Sequence, residues 1–259
     1  MPGFPKLRYI LLALLLYLIF LLATLPAQLV YGYAKQMLGP KLPLTLTEID
    51  GSIWSGRAGQ SKVATQLLNT VQWEFRPLSL LAGRVELNLE LTVTDGYAKG
   101  IAGASVLGNF YLRQLEGLVP MTYVAKVAKI EALKPAGALG INLDSLEFKG
   151  QSITALSGNV AWHGAELTLL KPMRLGDFKV TLETGNEGIK GVLSDAGGPL
   201  QAEGLLTLDT EGGYQFNGAL ALRDTSQTDL ANALRSFGRP DSAGKYRLKQ
   251  AGKLSQLRL

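Results

Sequence analysis

Residues 84–93 read RVELNLELTV. Val85, Leu87, Leu89, Leu91 and Val93 alternate with Arg84, Glu86, Asn88, Glu90 and Thr92, and successive side chains of an extended chain point to opposite faces. Such a stretch sorts into one apolar and one wetted side, which is how an antiparallel strand with one buried face behaves. The same period recurs outward in both directions: LTLTEID (44–50), TVQWEFR (70–76), INLDSLEF (141–148), ELTLL (166–170), FKVTLET (178–184), LLTLD (205–209) and YQFNGALAL (214–222). Most are bounded by Gly, Asp or Asn, the residues of turns. A mainly β body is predicted from Pro43 onward.

Two segments break the alternation with helical spacing. PMTYVAKVAKIEAL (120–133) gathers Val124, Val127, Ala128 and Ile130 on one side and opens on a proline suited to a first turn. TDLANALRSF (228–237) begins with Thr228, a residue able to cap, lines up Leu230, Leu234 and Phe237, and stops at Gly238. Both are predicted to be short amphipathic covers on the sheet.

Before the body the chain is of another kind. From Tyr9 to Tyr33, YILLALLLYLIFLLATLPAQLVYGY, no residue is charged, and about 20 apolar residues cross a bilayer as a helix. The span 9–33 is therefore predicted to be a transmembrane helix, with Leu12, Leu16 and Phe20 facing lipid and Tyr9, Tyr31 and Tyr33 at its ends, where amphipathic rings favour the headgroup level. Pro26 is expected to kink or end its densest apolar part. A cleaved secretory signal is the competing reading, but Leu25 would occupy the −3 position for cleavage after Ala27, and Tyr33 intervenes before Ala34. The segment reads as an uncleaved anchor. Lys6 and Arg8 precede it and Lys35 and Lys41 follow, so residues 1–8 are placed in the cytoplasm mainly on the shortness of that tail, with residues 34–259 on the periplasmic side.

The formal charge of +5 invites a nucleic-acid reading, but its distribution argues against one. The body between residues 34 and 238 is nearly neutral, and the excess lies in residues 239–259, where Lys245, Arg247 and Lys249 alternate with Tyr246 and Leu248. That reads as a strand with one charged, solvated face, a patch for anionic lipid or an acidic partner being the alternative, and no nucleic-acid motif accompanies it. The chain has no cysteine and a single histidine, His163, which excludes disulfides, thiol chemistry and multi-histidine metal sites. No nucleophile elbow or phosphate loop is present. Asp50, Glu74, Asp95, Glu147, Glu166 and Asp209 sit mostly at polar strand positions or in turns, where a solvated surface is the ordinary outcome. No catalytic, cofactor or metal residue is assigned, and an enzyme is not expected.

One pattern repeats. GSIWSGRA (51–58) returns as GNVAWHGA (158–165), and each is followed by a basic residue and proline (Arg76-Pro77, Lys171-Pro172) and then by an alternating strand. Trp54 and Trp162 are read as equivalent core positions of two duplicated β units, with Gly51, Gly56, Gly158 and Gly164 as the turns or bulges that seat them. The halves would be 44–118 and 139–259, joined through 120–133. Ligand-facing stacking is the alternative for Trp54, Trp73 and Trp162.

The uncleaved anchor, GSIWSGRA, WEFRPLSLLAGRVELNLEL (73–91), LSGNVAW (156–162), GGPLQAEGLLTLDTEGGYQFNGALALRD (197–224) and GRPDSAGKYRLKQAGKL (238–254) together resemble the type II secretion system protein N family over essentially the whole chain. A more distant likeness is to AsmA-type envelope proteins. The resemblance implies an inner-membrane, single-span protein with a periplasmic β-rich body that serves the export of folded proteins. It also implies inner-membrane lipid and other type II secretion proteins as partners, and no cofactor. The expected architecture is a transmembrane helix followed by a twisted antiparallel β body, as a sandwich or an open groove, with lipid in that groove as the second functional reading. The apolar content of LLNTVQWEF and GIAGASVLGNFYL (100–112) motivates that second reading.

Overall fold

The computed structural model describes residues 5–39, 44–63, 66–106, 108–128, 130–150, 152–168, 171–209, 211–224, 227–236 and 238–253. The chain divides into two compact units, residues 1–75 and 76–259.

The first unit opens with two helices, α1 (Pro5–Ala23) and α2 (Ala27–Leu38). The single helix predicted over 9–33 is thus broken. Pro26 lies between the two in extended backbone, φ −67° and ψ 132°. It lacks an N–H to continue the ladder, and its ring disfavours helical backbone at Leu25. Among the described residues no helix is long and apolar enough to cross a membrane. Three strands follow, β1 (Leu44–Gly51), β2 (Ser55–Val63) and β3 (Gln66–Phe75), each antiparallel to the next. Their buried residues include Ala58 and Val71, which face one another across β2 and β3, and Leu68.

The second unit is an antiparallel meander of ten strands among the described residues: β4 (Arg84–Val93), β5 (Gly96–Ser105), β6 (Phe110–Pro120), β7 (Ala136–Lys149), β8 (Ser152–Thr168), β9 (Pro172–Gly185), β10 (Gly188–Asp195), β11 (Leu200–Leu208), β12 (Gly213–Leu222) and β13 (Tyr246–Lys253). Each pairs with its sequence neighbours. The alternating segments predicted from sequence all fall on strands, and β4 begins and ends where its alternation does. Leu169 and Leu170 of the predicted ELTLL strand lie outside the described residues. β5, with three glycines and three alanines in GYAKGIAGAS, and β10 carry too little alternation to be read from sequence. The strands of this unit form one layer in chain order, so the sandwich form of the prediction is not what these residues build.

The helices cover less than predicted. α3 (Met121–Val127) is only seven residues, with Pro120 as its N-cap, and it gives way to a short 3-10 turn, Glu131–Leu133. It buries Met121 and Ala125, one turn apart, whereas Val124 is half-buried and Ala128 exposed. The predicted apolar side was therefore one position out of phase. α4 (Thr228–Arg235) buries Leu230 and Leu234 as predicted, although Thr228 is its first helical residue and Gln227 its cap. Phe237 lies outside the described residues. The α4 leucines join Ala165, Leu175, Leu200 and Tyr246 in a core, with Trp162, Phe178 and Leu220 packed around it. Two fully buried leucines contribute about 1.5–3 kcal/mol each, which is why so short a helix holds.

Candidate functional site

The first candidate is the junction between the apolar helices and the β1–β2 hairpin, within the first unit. α1 is apolar on all sides, and its large side chains from Tyr9 to Leu22, Leu12, Leu16 and Phe20 among them, are 44–71% exposed. Its C-terminal turn leaves carbonyls without helical partners. Trp54, in the turn between β1 and β2, donates its indole Nε1–H to the Leu22 carbonyl at 2.7 Å, and the Ile53 N–H bonds the Leu25 carbonyl at 3.0 Å. Pro26 and Ser52 form an isolated β-bridge. Farther along α2, the Tyr31 hydroxyl accepts the Leu46 N–H at 3.0 Å, while Tyr33 is exposed.

The hairpin that makes these bonds is itself stiff. The Trp54 ring lies 4.8 Å from that of Phe75, and the Phe75 N–H bonds the Trp54 carbonyl. Trp73 donates to the Ser52 carbonyl at 3.1 Å, and its ring lies over Gly56, its cross-strand partner, so closely that a Cβ there would sit 2.5 Å from it. Gly51 has φ 91°, and a side chain on it would meet the Ser55 carbonyl at 2.5 Å. Gly51, Gly56, Trp54 and Trp73 therefore form one tight turn.

The second candidate is an apolar trough on the sheet of the second unit. Leu139, Val160, Trp162, Leu175, Phe178, Val180, Leu193, Leu200, Ala202 and Leu220 line a hollow of about 340 Å³, open to solvent. Trp162 sits in mid-strand on β8, paired with Leu139 and Phe178. Its ring is 6.2 Å from that of Phe178, and its indole N–H bonds the Ala136 carbonyl at 2.9 Å. Trp54 and Trp162 are thus not equivalent: one closes a turn and the other lines a sheet face. Their flanking residues differ in the same way. Gly158 packs against the backbone of Asn142 and Leu143, and Gly164 sits at a bulge in β8 with its N–H on Asp177 Oδ1. Pro77 starts a 3-10 helix, Pro77–Ala82, whereas Pro172 starts strand β9.

His163 is exposed, with its ring beside Gly140. The carboxylates behave as surface groups: Asp50 pairs with Arg57 and Glu166 with Arg174, while Asp209 accepts the N–H groups of Glu211 and Gly213 in its own turn. Among the described residues no group of three or more His, Cys, Asp or Glu is placed to hold a metal ion. Of the charged residues predicted on one strand, Arg247 and Lys249 lie on β13 and Lys245 just before it; Lys245 is bound to Glu203 at 2.6 Å and Arg247 to Asp241 at 2.9 Å.

Sequence reasoning missed the most buried carboxylate, Glu86. Tyr111, two strands away, reaches it across Gly103 and donates its hydroxyl to Oε1 at 2.8 Å. A Cβ at Gly103 would lie 2.4 Å from the tyrosine ring, so the bond exists because that position is bare. Burial, reinforced by Glu86, raises the Tyr111 phenol above its ordinary value. The only hint in the sequence is a glycine midway between them in register, which no local pattern identifies.

A family model described as type II secretion system (T2SS), protein N, matches residues 43–249. The chain belongs to the type II secretion system protein N family. Two curated relatives, each described as type II secretion system protein N, align with it almost end to end. The one from Aeromonas hydrophila is 28% identical over 248 residues, 93% of this chain and 96% of its own length. The one from Vibrio cholerae serotype O1 is 25% identical over 227 residues, 82% and 85%. No solved structure matches. The family match begins at the first strand, so membership in the protein N family rests on the β body and the turns described above.

Proposed function

We propose that this chain is a non-enzymatic, inner-membrane-anchored component of the type II secretion machinery, with its tail in the cytoplasm and its β body in the periplasm. The observation that carries the anchoring is α1: a helix apolar all round with its large side chains uncovered is stable only where something apolar surrounds it. Its uncharged residues 9–23 extend about 22 Å at 1.5 Å per residue, short of the ~30 Å hydrocarbon thickness of a bilayer, and the uncharged run continues through Pro26 into α2 as far as Tyr33. Trp54 and Ile53, bonded to the carbonyls of Leu22 and Leu25, then hold the hairpin against the emerging helix, and Tyr31 and Tyr33 lie beyond it at headgroup level. Contacts with other secretion proteins are assigned to the outer edge of β13, which pairs with no further strand among the described residues, since an edge strand offers N–H and C=O groups to a partner strand.

Membrane fractionation tests the anchor. The full chain should stay in the inner-membrane pellet through alkaline and high-salt washes and be released by detergent; release by the washes alone sinks the anchoring. Deleting the gene should trap exported proteins in the periplasm, and unchanged export would remove the secretion role. The trough supports a second reading, lipid handling. Its lining offers no charged group, and its volume falls within the ~300–1,000 Å³ of small-molecule sites, so an acyl chain fits it better than a peptide with a polar backbone. Native mass spectrometry of detergent-solubilised protein should then detect co-purified lipid, and a lipid-free spectrum argues against it.

A further inference from the structure

One end of the second unit displays apolar side chains that its fold does not use. The 3-10 helix Pro77–Ala82 buries none of its residues, and Leu78 and Leu81 are 78% and 88% exposed. It is nevertheless well built. Pro77 begins it, Ser79 Oγ bonds the Arg76 carbonyl at 2.6 Å, and left-handed Gly83 closes it with its N–H on the Leu80 carbonyl. The neighbouring β5–β6 turn is tied to it by the Val106 N–H on the Gly83 carbonyl at 3.2 Å, and Val106 is 84% exposed. Alongside runs a cross-strand row of Val85, Ala104, Phe110 and Phe148, of which Phe110 is 61% exposed.

The other face of this end of the sheet is charged. Arg76 and Arg113 lie 3.7 and 3.9 Å from the two oxygens of Glu86, and Arg84 sits over the Tyr111 ring at 5.9 Å. Lys149 follows Phe148, and Glu147 stands opposite Tyr111. Four cations thus face two carboxylates, one of them buried. Exposed leucine, valine and phenylalanine at this end of the sheet, with an excess of arginine and lysine at the same end on the opposite face, match a surface that is apolar beneath and anionic on top.

We propose that this tip is a membrane-contacting element that dips Leu78, Leu81, Val106 and Phe110 into the headgroup region of an anionic bilayer surface, with Arg84 and its neighbours on the lipid phosphates. It goes beyond anchoring by α1, which needs no acidic lipid. Surface attraction of this kind is worth about fivefold in binding per cationic residue and fades with salt.

The chain has no native cysteine, so single labels are unambiguous. Leu81→Cys, Val106→Cys, Leu16→Cys and, as an exposed control, Glu187→Cys would each carry an environment-sensitive fluorophore in the full-length protein. The protein is reconstituted into phosphatidylcholine vesicles with or without phosphatidylglycerol, with headgroup-depth spin-labelled lipid as quencher for positions 81, 106 and 187 and lipid spin-labelled deep in the acyl chain for position 16. The expected result is quenching at positions 81 and 106 several-fold above that at 187 in phosphatidylglycerol vesicles, reduced by high salt and by Arg84→Glu. Quenching at 16 with none above control at 81 and 106 overturns the tip and leaves α1 anchoring intact, assigning the patch to a protein partner. Quenching at 81 and 106 without 16 supports the tip and defeats the anchor. No quenching at any of the three defeats both.

Discussion

The hairpin around Trp54 and the strand around Trp162 carry similar residues to opposite ends. Around Trp54 the glycines tighten a three-residue turn, and the indole leaves the sheet to bond a helix carbonyl 32 positions earlier. Around Trp162, Gly158 lets two strands approach while Gly164 sits at a bulge, and the indole stays on the sheet beside Phe178 and the α4 core. The lesson is that a glycine-framed tryptophan specifies close approach and leaves open what approaches. Register decides that: Trp54 falls after the last residue of β1, Trp162 in the middle of β8.

Truncation should separate the two most clearly. Trp162→Ala removes a ring from the trough and the α4 core and is expected to cost about 3 kcal/mol, read as a fall in the thermal midpoint of the detergent-solubilised protein. If Trp54→Ala cost as much, the two sites would be alike in energy despite their geometry. Next in size is Gly158→Ala. A Cβ there would lie 2.4 Å from the Asn142 carbonyl oxygen, at φ 130°, and about 2 kcal/mol of strain is expected, measured by chemical denaturation. An unaffected midpoint would mean that β7 and β8 can part locally.

Acid should divide the regions again. Asp195, near the edge of the trough sheet, is held below its ordinary value by the Arg223 guanidinium, with burial opposing and the Gly197 N–H assisting. A carboxyl lowered in the folded state stabilises fully above its unfolded value near pH 4, and the contribution is lost as pH falls through the folded value. With Arg223 half exposed, about 1 kcal/mol is expected. Asp195→Asn should remove that part of the acid sensitivity of the second unit, and an unchanged pH profile would refute the assignment. In the Trp54 hairpin the ion pair is Asp50 with Arg57, exposed on both sides, which contributes little to stability.

The smallest global effect is expected from Trp54→Phe, which keeps a ring beside Phe75 and deletes only the N–H to Leu22. It should lower the midpoint by less than about 1 kcal/mol while speeding proteolysis between Ala23 and Ala27. Unchanged cleavage there would show that the Ile53 and Ser52 contacts hold the junction without it.

Much of the body was legible because period two is a local property. Whether Leu87 and Leu89 share a face depends on two bonds of backbone, and the alternating segments of β4, β7 and β12 lie on strands, although in β4 Glu86 is buried and Val85 exposed against the pattern. Helix phase was less legible: in α3 seven residues are too few for periodicity to choose between Val124 and Ala125. The break in the apolar run was flagged by Pro26, since a missing N–H is also local, but its outcome as two separate helices was not.

By itself the sequence determined that there is a sheet, which side of each alternating strand is apolar, where proline interrupts the apolar run, and that no cysteine or multi-histidine chemistry is available, because these follow from single residues and their near neighbours. Only the tertiary structure decided that Tyr111 crosses Gly103 to Glu86, that Trp54 bonds the end of α1, and that the leucines of residues 77–82 stand clear of any core. The first depends on the register of three consecutive strands, where one residue of slip would turn every side chain to the other face, and the others on how helices and turns pack, which no local pattern in the sequence sets.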